Sequence, residues 1–181
     1  MMTFEQLGFR HIVDISALDH ILFLLALAAI YQPRDWRKVL TVISAFTVGH
    51  SVTLALAVTG VATFPSPVIE FLIPVTIMLT AVENLIVKDG GKYRPVFAGV
   101  FGLVHGAGFA NYLRSLFVDH VALPLFGFNV GIELGQIVVL SAIAIVLVGV
   151  DRLIPLRWRV VAVSTVVAIV ATGWAIERRP W

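Results

Sequence analysis

Three histidines dominate the chemistry that this chain could perform. His20, His50 and His105 each lie near the middle of a long apolar segment, and the chain contains no cysteine. An imidazole in the hydrocarbon core of a membrane is costly without a partner, so ionisable residues there mark functional sites. Carboxylates occur at similar depth, because Asp19 is adjacent to His20 and Glu133 lies within another apolar segment. Together these groups predict a buried metal or proton site.

The composition shows which elements must position these groups. The chain has 181 residues, of which 59% are hydrophobic, and a mean hydropathy of +0.97, whereas soluble domains are roughly 45–50% apolar. A bilayer-spanning helix needs about 20 mainly apolar residues. The sequence therefore predicts an all-α polytopic membrane bundle of about six transmembrane helices, forming a single domain over residues 1–181. The predicted spans are 11–32, 38–62, 67–87, 95–117, 123–149 and 159–177.

The basic residues predict the orientation of this bundle. The segments that follow the first, third and fifth spans carry most of them, and the other side carries only Arg10, Arg114, Arg178 and Arg179. Cytoplasmic loops are the ones enriched in Lys and Arg, so we expect both termini on the outer side. No basic stripe alternates with aromatic residues, which argues against nucleic-acid binding. The predicted cytoplasmic set is Arg34, Arg37, Lys38, Lys88, Lys92, Arg94, Arg152, Arg157 and Arg159.

The acidic groups favour a bound cation. An ionised acid near a helix centre costs roughly 2.5–3.5 kcal/mol on an insertion scale, and no Lys or Arg is predicted at that depth. Histidine, a proton or a cation must therefore supply the partner. A lone histidine that simply bonds a carbonyl remains the alternative for His50. The predicted metal ligands are His20, His50, His105, Asp19 and Glu133.

Other polar residues are expected to orient these ligands or to form a path to them. Several recur at helical spacing of three or four residues and so share a face with a predicted ligand. Glycines around His105 should let neighbouring helices approach closely. Glu70 could instead cap the third span, and residues 1–10, with His11 at the boundary, read as an interfacial lead-in. The residues given a supporting or pathway role are His11, Asp14, Ser16, Thr47, Ser51, Glu70, Glu83, Asn84, Asn129 and Gln136.

Five stretches of the chain resemble the HupE/UreJ family of bacterial membrane proteins, which is associated with nickel supply to hydrogenase and urease. They are GFRHIVDISALDHILFLLAL, AFTVGHSVTLALA, IEFLIPVTIMLTAVENL, FGLVHGAGFA and FNVGIELGQ. The resemblance implies a transition-metal permease or accessory protein, multi-pass in the bacterial inner (cytoplasmic) membrane. The residues to which it points are His11, Asp19, His20, His50, Glu83, Asn84, His105, Asn129, Glu133 and Gln136.

The leading hypothesis is a permease whose partners are a divalent transition metal and the lipid bilayer; an oligomer is compatible with it. Imidazole and carboxylate ligands suit nickel, zinc, cobalt or copper, and the resemblance favours nickel. Only neutral imidazole binds metal, so uptake should weaken as the external pH falls through about 6.5. The alternative is a membrane-embedded zinc-dependent hydrolase resembling the alkaline ceramidase-like superfamily. A haem protein with two of the histidines as axial ligands is a third. No catalytic residue is assigned.

Overall fold

The described part of the chain is entirely helical. The computed structural model describes residues 3–14, 18–87, 91–116 and 122–181, and this part is 85% helix without any strand. The all-α prediction is thereby confirmed. In chain order the helices are α1 (Phe4–Val13), α2 (Leu18–Ala28), a short 3₁₀ helix (Pro33–Asp35), α3 (Trp36–Val58), α4 (Ser66–Ile86), α5 (Arg94–Leu116), α6 (Ala122–Asp151) and α7 (Leu156–Glu177).

The N-terminal segment, predicted as an interfacial lead-in, is a helix packed against α6; its position at the interface stays a prediction. Thr3 caps α1 through a reciprocal pair of bonds with Gln6: the Gln6 amide donates to Thr3 Oγ1 and the Thr3 amide donates to Gln6 Oε1. This capping box satisfies two amides that the first turn leaves free. Gly8 is buried so closely against α6 that a Cβ there would overlap the carbonyl oxygen of Phe128. The sequence missed this helix because its ten residues are too short to show an apolar period.

The first predicted span is broken. Helix α1 ends where Asp14 leaves the helical conformation (φ −66°, ψ 119°), and α2 begins at Leu18 with an axis bent by 68° from that of α1. Aspartate favours helix ends because its side chain competes for backbone hydrogen bonds. The expected continuous helix over 11–32 is therefore replaced by two short helices. Ser16, expected on the same face as His20, lies outside the described residues.

The remaining predicted spans correspond to single helices. α3 ends about four residues earlier than expected, because Gly60 follows it with φ +75°, a conformation that stops helices. By length and apolar composition, α3 with the 3₁₀ turn, α4, α6 and α7 could each cross a membrane, and α1 with α2 could supply a fifth, broken span. α5 has 23 residues and is rich in glycine, but it is not among those four helices. A total of about six spans stays a prediction.

Glycine governs how the helices pack around the histidines. Cβ atoms at Gly102 and Gly106 of α5 would overlap backbone carbonyls of Phe46 and His50 on α3. Small residues permit such close helix contacts, which confirms the packing role expected for these two glycines. The first half of α6 similarly receives α1 at Gly131, where a Cβ would overlap the Glu5 carbonyl. These close contacts pair α5 with α3 and α1 with α6.

Candidate metal centre

The break between α1 and α2 brings two histidines together. In a continuous helix, His11 and His20 would be separated by about 13.5 Å along the axis and would point to opposite sides. The bend instead places their ring centroids 4.5 Å apart, with the planes at 67°. Residues from the two sides of the break thus converge on one point.

His50 of α3 completes a cluster of three imidazoles. One nitrogen each of His11, His20 and His50 can be chosen so that all lie within 4.8 Å of one another. Metal–nitrogen bonds to zinc are about 2.0–2.1 Å, so small side-chain rotations would bring the three nitrogens around one ion. The prediction that His20 and His50 meet is supported by this geometry. His11, expected only on the pathway, is the third member.

His105 lies beside the cluster. Its ring centroid is 5.6 Å from that of His20, and its Nε2 lies 3.0 Å from Thr76 Oγ1. Thr76 donates its only hydroxyl proton to the carbonyl oxygen of Ile73 at 2.7 Å. The hydroxyl oxygen therefore accepts from His105 Nε2–H, which leaves the lone pair on Nδ1. His105 is thus oriented as an adjacent acceptor by Thr76, a residue that no sequence signal marked.

Five of the six imidazole nitrogens of His11, His20 and His50 are buried without a hydrogen-bond partner in the described structure. His50 is fully buried and His20 is 8% exposed, yet neither ring makes a hydrogen bond through Nδ1 or Nε2 in the described structure. The same holds for His11 Nε2 and His105 Nδ1. A buried polar group left unsatisfied costs about 1–3 kcal/mol. Several such groups at one point fit residues that hold an ion.

Aromatic rings enclose the cluster. Phe109 stands 4.0 Å from the His11 ring centroid, and Phe46 stands 6.0 Å from His50 and 5.2 Å from His105. Phe23 is 5.3 Å from His105. These apolar walls lower the local dielectric and exclude water, which strengthens electrostatic attraction to a cation at the imidazoles.

Neither predicted carboxylate ligand joins the three histidines. Arg178, just after α7, donates from Nη1 to both oxygens of Asp19 at 3.1 Å. The expectation that no basic residue reaches Asp19 is wrong, because the arginine side chain extends back from the helix end. Glu133 is half-buried on α6 and is not part of the cluster. Of these two carboxylates, Asp19 is the one next to a cluster histidine in sequence, because it directly precedes His20.

The supporting residues divide into two groups. Near the site, Thr47 donates to Gln136 Oε1 at 3.0 Å, Ser51 donates to the Thr47 carbonyl, and Asn129 Oδ1 is buried without a partner in the described chain. The second group is exposed to the surroundings: Asp14 ends α1 and is exposed. Glu70 is exposed too, and the first turn of α4 contains no acidic residue, so the capping alternative for Glu70 is wrong.

Glu83 and Asn84 serve a different end of α2. The buried Arg94 donates from Nη1 to Glu83 Oε2 and to Asn84 Oδ1, each at 2.9 Å. It also donates to the Leu27 carbonyl, while Asn84 Nδ2 donates to the Ala26 carbonyl at 2.7 Å. Arg94 was expected in a loop. Instead, its guanidinium neutralises Glu83, which the sequence had suggested as part of the cation pathway. The adjacent Glu83 and Asn84 could have indicated this arginine, since polar residues within a membrane segment need partners.

Arg159 completes the network at this end. It is 1% exposed, forms an ion pair with Asp151, and donates from Nη2 to the carbonyls of Ala29 and Tyr31. The sequence predicted it at the very start of the sixth span, within the basic set that follows the fifth. Arg94 and Arg159 lie at the same end of the bundle, as the charge bias predicted for the basic set. The side of the membrane that this end faces stays a prediction.

The fold and the site define a helical membrane protein with a buried histidine cluster at a helix break. Residues 1–178, nearly the whole chain, match the model of the HupE / UreJ protein family. The chain therefore belongs to the HupE/UreJ family. No significant match was found among curated proteins or among solved structures.

Proposed function

We propose that this protein is a permease for a divalent transition metal, with nickel as the favoured cargo, and that His11, His20 and His50 bind the ion in transit. The observation that carries this proposal is the set of buried imidazole nitrogens without hydrogen-bond partners. Membership of the HupE/UreJ family supports metal handling. Imidazole is a good ligand for nickel, zinc, cobalt and copper.

The broken helix supports transport over simple storage. Discontinuous helices are common at the ion-binding sites of transporters, where helix ends and unwound backbone face the ion. Here the end of α1 and the start of α2 meet beside the cluster. The cation would enter from the outer side past Asp14, Glu70 and Asn129, with Asp19, Glu133 and His105 as neighbouring ligands. Inward passage toward Glu83 requires the Glu83–Arg94 ion pair to separate.

Metal uptake into proteoliposomes tests this proposal. We expect nickel uptake by the wild type, and a loss of at least tenfold in His20→Ala and in His50→Ala. The matched control is His120→Ala, because the sequence places this fifth histidine in a loop. Equal uptake by all variants would overturn the proposal. Stoichiometric nickel binding without any uptake would replace the permease with an accessory role.

A zinc-dependent hydrolase remains the second candidate, favoured by one observation. Three histidines without a carboxylate leave a fourth coordination position free, as catalytic zinc sites require. Zinc retained in a 1:1 ratio through purification, together with amide-lipid hydrolysis that fails in His50→Ala and absent uptake, would establish it.

A further inference from the structure

A cavity with basic side chains in its wall lies at the opposite end of α2 from the histidines. Its volume is about 450 Å³, and its lining includes Lys38 of α3, Lys92 before α5 and Arg94 at the start of α5. Tyr31 and Thr41 add hydroxyl groups. No acidic side chain among the described residues lines it. The metal-site proposal uses none of these side chains.

The charges around this cavity are only partly neutralised. Asp35 pairs with Lys38 at 3.1 Å, and Glu83 pairs with Arg94 at 2.9 Å. Lys92 makes a cation–π contact with Tyr93, at 4.9 Å from Nζ to the ring centroid, and forms no ion pair within the described residues. The described residues around the cavity therefore carry an excess of positive charge, and the exposed lysines at its rim can move to meet an anion.

The geometry gives the three cations different roles. The Arg94 guanidinium is 3% exposed, its terminal nitrogens are occupied by Glu83, Asn84 and Leu27, and it lies 5.6 Å from the Tyr31 ring centroid. It is a fixed charge in the wall of the cavity. Lys38 and Lys92 are exposed. The Lys38 ammonium group keeps further donors besides the one that faces Asp35, and Lys92 forms no ion pair within the described residues. Burial raises the pKa of Tyr31, so its hydroxyl stays protonated and can donate as well.

We propose that this cavity binds a phosphate group, held by Lys38 and Lys92 over the fixed charge of Arg94. The favoured source is the headgroup of an anionic phospholipid. Trp36 and Tyr93 are exposed at the same end, and such aromatic residues favour the membrane–water interface. The charge bias predicts this end in the cytoplasm, where anionic lipids attract basic groups near the membrane surface. Free phosphate shares the chemistry and is the other source.

Lipid binding to the purified protein tests the proposal. Native mass spectrometry would titrate phosphatidylglycerol, phosphatidylcholine and inorganic phosphate against the full chain. Charge-assisted hydrogen bonds from the two ammonium groups to one phosphate contribute about tenfold each, so the double variant Lys38→Gln, Lys92→Gln should bind phosphatidylglycerol at least about thirtyfold more weakly. The matched control is Arg37→Gln, Arg157→Gln. Both arginines stack on tryptophans, belong to the same predicted cytoplasmic set and do not line the cavity.

The outcomes separate the site from a diffuse charge effect. Preferential phosphatidylglycerol binding that is lost only in the lysine variant supports the lipid source. Inorganic phosphate binding lost in the same variant, with no lipid preference, supports the phosphate site with a free source. Equal loss in both double variants, or no preference for either phosphate-bearing anion over phosphatidylcholine, overturns the proposal. Both lysines are exposed, so folding is preserved, and an unchanged melting temperature without ligand verifies this.

Discussion

The two ends of α2 treat their polar groups in opposite ways. At its start, His20 meets His11 and His50, and imidazole nitrogens are buried without partners. At its end, the Leu25 and Ala28 carbonyls accept bonds from backbone amides. Side chains donate to the other carbonyls there. Asn84 donates to Ala26, Arg94 donates to Leu27, and Arg159 donates to Ala29 and Tyr31.

This difference distinguishes a candidate binding site at the start of α2 from a structural hydrogen-bond network at its end. Helix ends leave carbonyls unsatisfied, and in a membrane each needs an internal partner. The arginines at the end of α2 meet that need, and their charges complement the negative end of the helix dipole. At the start of α2, imidazole nitrogens are buried without hydrogen-bond partners in the described structure. Such an arrangement is stable only when another group, such as a bound ion, pairs with these nitrogens. The contrast predicts that mutations at one end change stability and those at the other change metal affinity.

The largest expected effect is on stability, at the arginine end. Arg159→Leu leaves Asp151 without its partner and two carbonyls without a donor. Losing one member of a fully buried ion pair costs about 3–5 kcal/mol. Asp151 is 25% exposed, so the free energy of unfolding should fall by about 3 kcal/mol, the lower end of that range, in a denaturant titration. Nickel affinity of the folded fraction should not change.

The matched control for this change is Arg157→Leu. Arg157 is exposed and stacks on Trp158 at 4.9 Å, so removing it should cost less than about 1 kcal/mol. Equal destabilisation by the two variants would contradict the structural role assigned to Arg159.

The histidine end should show the reverse pattern. His50→Leu removes a ligand and two unpaired nitrogens while keeping a similar volume. We expect nickel affinity to fall by more than about 100-fold in calorimetric titration, beyond the 10–100-fold typical of losing an outer-shell group. The metal-free protein should be as stable as the wild type or more so, because apolar replacement of unpaired polar atoms is neutral or favourable. A large loss of stability with intact affinity would reverse the comparison.

A smaller effect should follow from the support of His105. Thr76→Val removes the acceptor that fixes His105 Nε2, and we expect nickel affinity to fall about tenfold, as for other outer-shell partners. The control is Thr80→Val, one turn along α4. Thr80 is equally buried, but its hydroxyl donates only to its own helix, at the Thr76 carbonyl. If both variants bind nickel alike, His105 takes no part in the site.

The sequence predicted the helices well where a long apolar run defined them. α4 through α7 begin and end within about three residues of the expected bounds, because hydrophobic length is a local property. The same rule failed at the first span, since the run from His11 to Gln32 remains apolar on average across the break at Asp14. Averaged hydropathy does not register a bend.

Long-range partners were the part that the sequence could not supply. His20 and His50 were expected in one site, and the structure supports that pair. His11 was underestimated because helical spacing alone separates it from His20. Arg94, Arg159 and Arg178 were predicted at or beside the ends of spans, yet their side chains are long enough to reach groups on α2 or just after it. Tertiary contacts of that kind leave no periodic signal.

The smallest expected effect concerns Asp19, which lies at the boundary between the two kinds of behaviour. It is next to His20, but its carboxylate is held by Arg178 in a partly exposed pair. Such pairs contribute about 0–1 kcal/mol, so Arg178→Gln should barely change the free energy of unfolding. The released carboxylate would then be free to approach an ion at His20, and we expect nickel affinity to rise severalfold in calorimetric titration.

Two further variants decide whether Asp19 is responsible. Arg179→Gln removes the neighbouring positive charge and should leave nickel affinity unchanged. This variant is the control for a general loss of electrostatic repulsion between the protein and the cation. Adding Asp19→Asn to Arg178→Gln should abolish the gain, because an amide oxygen carries no charge to attract the ion. A gain that survives in this double variant would mean that Arg178 acts only by repelling the cation. In that case the role of Asp19 is structural, like that of the hydrogen-bonded groups at the other end of α2, and it does not bind the ion with the histidines.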